Sequence, residues 1–359
     1  MKELKISVVL LALFLATMAI VPMVNAQEQA TTGANAQLPH LQVDNSQPNL
    51  VIQNGFSLSK GDNLTNIPEG SIIQHSADGI TRVFDSNGKQ LSISNDIDSR
   101  KIPTPEGYIS ADKINQIPNG SFVQVNDNGT TNVYLNDKRI LTVLSSSDKK
   151  TTIASSGGWV ESSQSWGISQ MAQFVADWTV PSSPPDPYTN AYMYIFNGIE
   201  PSNGADILQP LLEYNLAGNH VWTGQAYYVD NGIVYKGPEI NTAVGHQIQG
   251  TMAWDPAALR WNLIFKDLST GTSSSELAVS APNIGTTNLG AFCALEAYLV
   301  TDNNDISGTT TFTNIQAENL NLNPISFSWT RQINTNMGLT NLGVLFNGMT
   351  PVTLHTNNN

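Results

Sequence analysis

The stretch Phe292-Cys293-Ala294-Leu295-Glu296-Ala297-Tyr298-Leu299-Val300-Thr301 decides how this chain folds. It is an apolar run of strand length, and it lacks a helical period. Successive side chains of a strand point to opposite faces, so Phe292, Ala294, Glu296, Tyr298 and Val300 share one face. Glu296 is then a lone carboxylate among apolar and aromatic neighbours. Runs of the same kind recur at 173–180, 191–197, 207–214, 221–230, 247–254, 261–267 and 308–312, separated by turn residues at short spacing. Helix-length apolar periodicity is absent from residue 158 onward. The pattern predicts an all-β domain, an antiparallel β-sandwich.

Working outward, the region before it divides in three. Lys2 and Lys5 precede an apolar stretch at 6–20, and Val24-Asn25-Ala26 supplies small residues for cleavage. Residues 1–26 therefore read as a secretory signal peptide, and the chain touches a membrane only if that segment stays uncleaved. Residues 27–53 are rich in Gln, Asn, Thr and Pro without periodicity, which reads as disorder. An internal repeat follows. Ile67-Pro68-Glu69-Gly70-Ser71 returns as Ile117-Pro118-Asn119-Gly120-Ser121, and Gln74, Gly79, Thr81, Val83 and Leu91 return as Gln124, Gly129, Thr131, Val133 and Leu141. Each copy, about 67–93 and 117–143, reads as short strands around tight turns. Three glycosylation sequons begin at Asn63, Asn119 and Asn128. Lys149-Lys150 lies in a Ser/Thr-rich stretch that reads as a linker or a processing site.

Of the 359 residues 13% are charged, and the formal net charge is -13. From Thr151 onward four cations (Lys236, Arg260, Lys266, Arg331) face fifteen Asp/Glu. So acidic a surface disfavours nucleic acid as a partner. The single cysteine, Cys293, rules out an intrachain disulfide and reads as a small buried hydrophobe. There is no Gly-x-Ser-x-Gly elbow, no His-Glu-x-x-His zinc motif and no Gly-rich phosphate loop. Asp302-Asn303-Asn304-Asp305 lacks the spacing of a calcium loop and reads as a turn. Carboxylate and amide chemistry remains. A carboxylate can take a proton from water in acid, where histidine is already protonated, and an amide can orient that water.

Tyr194-Ile195-Phe196-Asn197-Gly198-Ile199-Glu200 is followed by Asp206-Ile207-Leu208-Gln209-Pro210. Alternation puts Ile207, Gln209, Leu211 and Glu213 on one face. The first stretch resembles the Trp-x-Gly-Ile-Asp and Leu-Gln segments of the glutamic peptidases of the eqolisin family. Leu295-Glu296-Ala297-Tyr298-Leu299-Val300 is similar to their Ala-Glu-Trp-Ile-Val-Glu strand. Trp178-Thr179-Val180-Pro181 and Gly245-His246-Gln247-Ile248 also match family segments, in the same order. The similarity spans about 158–314. Carried over by position, it implies that Glu296 and Gln209 are the catalytic pair, on neighbouring strands. Phe196, Glu200, Glu213, Tyr298 and His246 become substrate-binding or supporting residues. Phe196, Glu200, His246 and Val300 depart from the family's Trp, Asp, Asp and Glu.

The resemblance further implies a concanavalin-like (lectin-like) sandwich at 151–359 and a propeptide at 27–150. It implies a secreted, monomeric endopeptidase active at acidic pH, with a protein or peptide substrate and no metal or cofactor. Two other classes stay open. One is a non-catalytic lectin-like carbohydrate-binding protein using some of Trp159, Trp166, Trp178, Trp222, Trp254, Trp261 and Trp329. The other is a glycoside hydrolase using Glu213 and Glu296, although the Glu-x-Asp-x-Glu run of sandwich glucanases is absent.

Overall fold

The alternating runs pair into two large sheets. The computed structural model describes residues 67–95, 101–105, 107–145, 157–202, 204, 206–215, 218–271 and 274–356. The expected signal peptide, the disordered stretch at 27–53, the Asn63 sequon and the Lys149-Lys150 pair lie outside them. Among the described residues only three single-turn 3-10 helices interrupt an otherwise all-β chain.

The first sheet runs Thr330–Ile333, Gly157–Ile168, Leu289–Tyr298, Tyr192–Pro201, Asp206–Tyr214, Trp222–Asp230, Ile233–Lys236, Ile114–Gln116 in spatial order. A short strand, Ile240–Asn241, pairs alongside Trp222–Asp230. The second sheet runs Gly343–Phe346, Val352–His355, Thr310–Glu318, Gln173–Thr179, Gln247–Asp255, Arg260–Asp267, Ser274–Ser280 and then continues into the repeats. Strand pairing between residues 157 and 356 is antiparallel throughout, as the alternation implies.

The two repeats fold alike because they carry the same turn chemistry. Gly70 and Gly120 both take a left-handed backbone, and the Ser71 and Ser121 hydroxyls donate to the carbonyls of Pro68 and Pro118 at 2.6 and 2.7 Å. Each copy then gives three strands: Ser71–His75, Ile80–Phe84 and Gln90–Asn95, against Ser121–Val125, Thr130–Leu135 and Lys138–Ser145. The repeats join the sandwich through parallel edges. Ser121–Val125 lies beside Ser274–Ser280, and Ile114–Gln116 beside Ile233–Lys236. This region therefore adds one strand to the first sheet and six to the second.

Between the sheets lies one large core. Met193, Ile195, Leu208, Leu212, Cys293 and Leu295 from the first sheet meet Phe174, Trp178, Ile248, Trp261 and Phe265 from the second. Packing is close enough to require glycine at two positions. A Cβ on Gly224 would stand 1.9 Å from the Phe265 ring, and one on Gly250 would stand 2.0 Å from Oδ1 of Asn197. Asn197 instead donates to the Gly250 carbonyl at 3.2 Å, tying the sheets together. The opposite face of the first sheet has a second, separate apolar cluster. Trp178, Trp222, Trp261 and Trp329 are core residues, while Trp166 is 48% exposed.

Candidate active site

The register places the predicted residues on that second face. Leu289–Tyr298 lies between Gly157–Ile168 and Tyr192–Pro201, so Glu296 occupies an interior strand. Trp159, Glu296, Tyr194, Glu213 and Thr223 stand side by side in one cross-strand row. Gln209, Tyr227 and Lys236 form a second row on the same face, four positions along from Glu213. Alternation groups Glu296 with Tyr298 and Gln209 with Glu213, and the register brings both groups, with Phe196, to one surface. The strands of Glu296 and Gln209 are not neighbours, however. Tyr192–Pro201 pairs with both and stands between them. The residue in register with Glu296 across that strand is Glu213, reached through Tyr194.

These side chains are deeply buried. Glu296 is 1% exposed, and Gln209, Glu213 and Lys236 are 0% exposed. The Tyr298 hydroxyl donates to Oε1 of Glu296. Tyr194 and Tyr298 meet edge to face, as do Phe196 and Trp159. Gln209 and Gln225 are wholly buried, and neither amide has a hydrogen-bond partner among the described residues. Buried amides are ordinarily satisfied, so two unsatisfied ones on a single face mark a surface made to bind something polar.

The electrostatics follow from burial. It pushes Glu213 up to about 8, against the pull of Lys236. It pushes Lys236 down to about 8, against the pull of Glu213 and Glu239. Burial, then the charges of Glu213 and Glu296, holds the Tyr194 hydroxyl well above its ordinary value. In acid the face therefore carries a charged lysine, a protonated Glu213 and tyrosines that keep their protons.

What buries the face is the segment before the second repeat. Lys101–Thr104 and Gly107–Ser110 pair as a hairpin, followed by the turn Ala111–Lys113. Ile102, Ile109, Ala111 and Ile114 pack on Tyr194, Phe196, Leu211, Tyr227 and Tyr298. The ring of Tyr108 meets that of Tyr298 edge to face at 5.4 Å.

Two predicted residues stand apart. Glu200 is on the same face but at the end of its strand, opposite Gly290, and is partly exposed. His246 belongs to the other sheet's side of the sandwich and is no part of this surface. Its Nδ1 meets Oδ2 of Asp267 at 2.7 Å, and Asp267 also accepts from Thr242 at 2.9 Å. Those bonds hold Asp267 below the usual carboxylate range against the opposing effect of burial. Tyr194, Tyr227, Gln225 and Lys236 were not singled out from the sequence; Tyr194 is in register with Glu296 and Glu213, and Tyr227 with Gln209. Among the described residues no three His, Cys, Asp or Glu side chains converge as metal ligands would.

No family model matches the chain, and no curated protein matches it. Similar folds do occur among solved structures. A scytalido-glutamic peptidase crystallised with a peptide-based transition state analogue is 15% identical, with a TM-score of 0.43, covering 56% of this chain and 99% of its own. SCP-B, an eqolisin peptidase in complex with the tripeptide Ala-Ile-His, is 16% identical, with a TM-score of 0.41 and the same coverage. A Bacillus licheniformis β-glucanase is 11% identical, with a TM-score of 0.27, covering 66% of this chain and 95% of its own.

Proposed function

We propose that this chain is a secreted, acid-active endopeptidase that hydrolyses peptide bonds by direct attack of water. Glu296 accepts the water's proton and later returns it to the leaving amine, and Gln209, two strands across and four positions along the same face, offers its amide to the backbone of the bound peptide. The observation that carries the reading is a buried carboxylate sharing one face with a buried amide that has no hydrogen-bond partner among the described residues, with a hairpin of the same chain packed on that face. A carboxylate is the base that still works in acid. The amide supplies a polar partner for a backbone group of the peptide further along the face. Residues 27–150 act in this reading as a precursor segment.

The test is proteolysis by the purified full-length chain at about pH 4, followed by the same assay on Glu296→Gln and Gln209→Ala. Glu296→Gln keeps the shape and removes the base, so hydrolysis disappears. Gln209→Ala raises KM with little change in kcat, as loss of a peptide contact remote from the reacting carbonyl does. A Glu296→Gln chain that cleaves at the wild-type rate would overturn the proposal.

One observation favours a second reading. Glu213 and Glu296 flank Tyr194 in a single row. Two strand spacings put their backbones about 10 Å apart. Two carboxylates, one with a raised pKa, are what glycoside hydrolysis uses. Release of reducing sugar from a β-glucan, without peptide cleavage, would select that reading.

A further inference from the structure

We propose that Tyr194 is a catalytic residue that donates its hydroxyl to the carbonyl oxygen under attack, and that the Lys101–Ser110 hairpin occupies the substrate's place with the Pro103 carbonyl in the scissile position. This rests on the peptidase reading and adds to it a donor, a binding direction and a tethered occupant.

Four observations converge. The Tyr194 hydroxyl donates to the Pro103 carbonyl at 2.6 Å, a bond between residues 91 positions apart in the chain. Tyr194 stands directly between Glu296 and Glu213 in the cross-strand row, so the carbonyl is held by the side chain next in register to the carboxylate that would activate water. The hairpin also touches the partner of that carboxylate, since Tyr108 packs on Tyr298 and Tyr298 donates to Glu296. Its side chains Ile102 and Ile109 fill the apolar part of the same face. An extended backbone held by one carbonyl hydrogen bond and alternate apolar side chains is how a peptide substrate is gripped.

The chemistry balances without a further reactant. The water oxygen bonds to the carbonyl carbon while its proton passes to Glu296. The carbonyl π pair moves onto oxygen, where the Tyr194 hydroxyl holds it. That pair then re-forms the double bond as the C–N bond breaks, and the proton on Glu296 goes to the amine. Burial and the two neighbouring carboxylates keep the tyrosine protonated throughout, so it remains a donor. In the hairpin the amine side cannot leave. Pro103 pairs with Tyr108 and Thr104 with Gly107, and the Thr104 hydroxyl donates to the Gly107 carbonyl at 2.8 Å. A strand held that way stays in place as an intramolecular inhibitor.

The experiment uses the full-length chain at about pH 4 with a mixture of internally quenched octapeptides. Ile102→Asp and Tyr108→Ala each loosen the hairpin by a different contact, so one of them serves if the other misfolds. Each raises kcat/KM at least about tenfold. Adding Tyr194→Phe to the Tyr108→Ala chain keeps the ring and lowers kcat about 100-fold with little change in KM, as loss of one oxyanion donor does. If Glu296-dependent hydrolysis is unchanged by loosening the hairpin, or unchanged by Tyr194→Phe, the inference is wrong and the peptidase reading stands. If the loosened chain hydrolyses nothing, or still hydrolyses with Glu296→Gln, both fall.

Discussion

Replacing Glu161 by Gln tests the electrostatic reasoning quantitatively. Glu161 lies on Gly157–Ile168, next to the Glu296 strand, and is 1% exposed. Burial pushes it up to about 8, and only the hydrogen bond from the Gly343 N–H, at 3.0 Å, opposes that. The ordinary value for such a carboxyl is 4.5, which stands for the unfolded chain. A carboxyl raised on folding favours the folded chain fully below about 4.5, and the advantage is lost as pH rises through about 8. Each pH step within that window is worth about 1.4 kcal/mol, so the loss is about 2 kcal/mol at pH 6 and about 4 kcal/mol at pH 8. Gln keeps the acceptor for Gly343 and carries no charge at any pH. Urea denaturation at pH 3.5, 6 and 8 should therefore show Glu161→Gln close to wild type in acid and increasingly more stable toward pH 8. A variant that is equally stable at pH 8, or less stable there, would refute the argument. Asp230 contributes with the same sign, raised to about 7 by burial and then by Asp206, so it too costs stability as pH rises through about 7.

Two further outcomes follow from the packing. Gly224→Ala should destabilise the chain by about 1–3 kcal/mol in denaturant, since its methyl group would overlap the Phe265 ring and force the sheets apart. Cys293 is wholly buried, and burial pushes its thiol up, so a thiol reagent at pH 8 should label it only after unfolding in urea.

Period-two alternation was sufficient to group Glu296 with Tyr298 and Gln209 with Glu213, because a strand's side-chain geometry is fixed whatever its partners are. The repeat was legible for the same reason. Gly70, Ser71 and their copies encode a turn locally, and the turn is formed twice. Pairing order was not legible. Nothing near residue 296 or residue 209 says that Tyr192–Pro201 lies between them, since its register with both depends on contacts far away in sequence. The cover was hidden likewise. Ile102, Ile109 and Ile114 sit in runs of three or four residues with no period, and Ile114 finds Val234 only across 120 positions of chain. Lys236 enters the sequence only as one of four cations in an acidic domain, and it is the folded sheet that buries it against Tyr227, whose ring centroid is 5.7 Å from its Nζ.

The pair Glu213 and Lys236 ties the acid dependence of the fold to that of the site. Below about pH 8 Glu213 holds a proton and Lys236 is charged, so both are hydrogen-bond donors, alongside the hydroxyl of Tyr194. A face made of donors suits the carbonyl oxygens of a peptide backbone, as the bond to Pro103 illustrates. Above about pH 8 the carboxyl becomes a buried anion and the ammonium loses its charge, so the same face turns toward accepting and repels carbonyl oxygens. Binding of peptide should therefore weaken as pH rises through Glu213's titration, before alkaline unfolding. Glu213→Gln retains an N–H donor at every pH and removes that transition. In the Tyr108→Ala chain, the alkaline fall of kcat/KM should move upward or flatten when Glu213→Gln is added, while circular dichroism at each pH reports the fold separately. An alkaline limb identical with and without Glu213→Gln, in chains that remain folded, would show that the carboxyl does not gate the face.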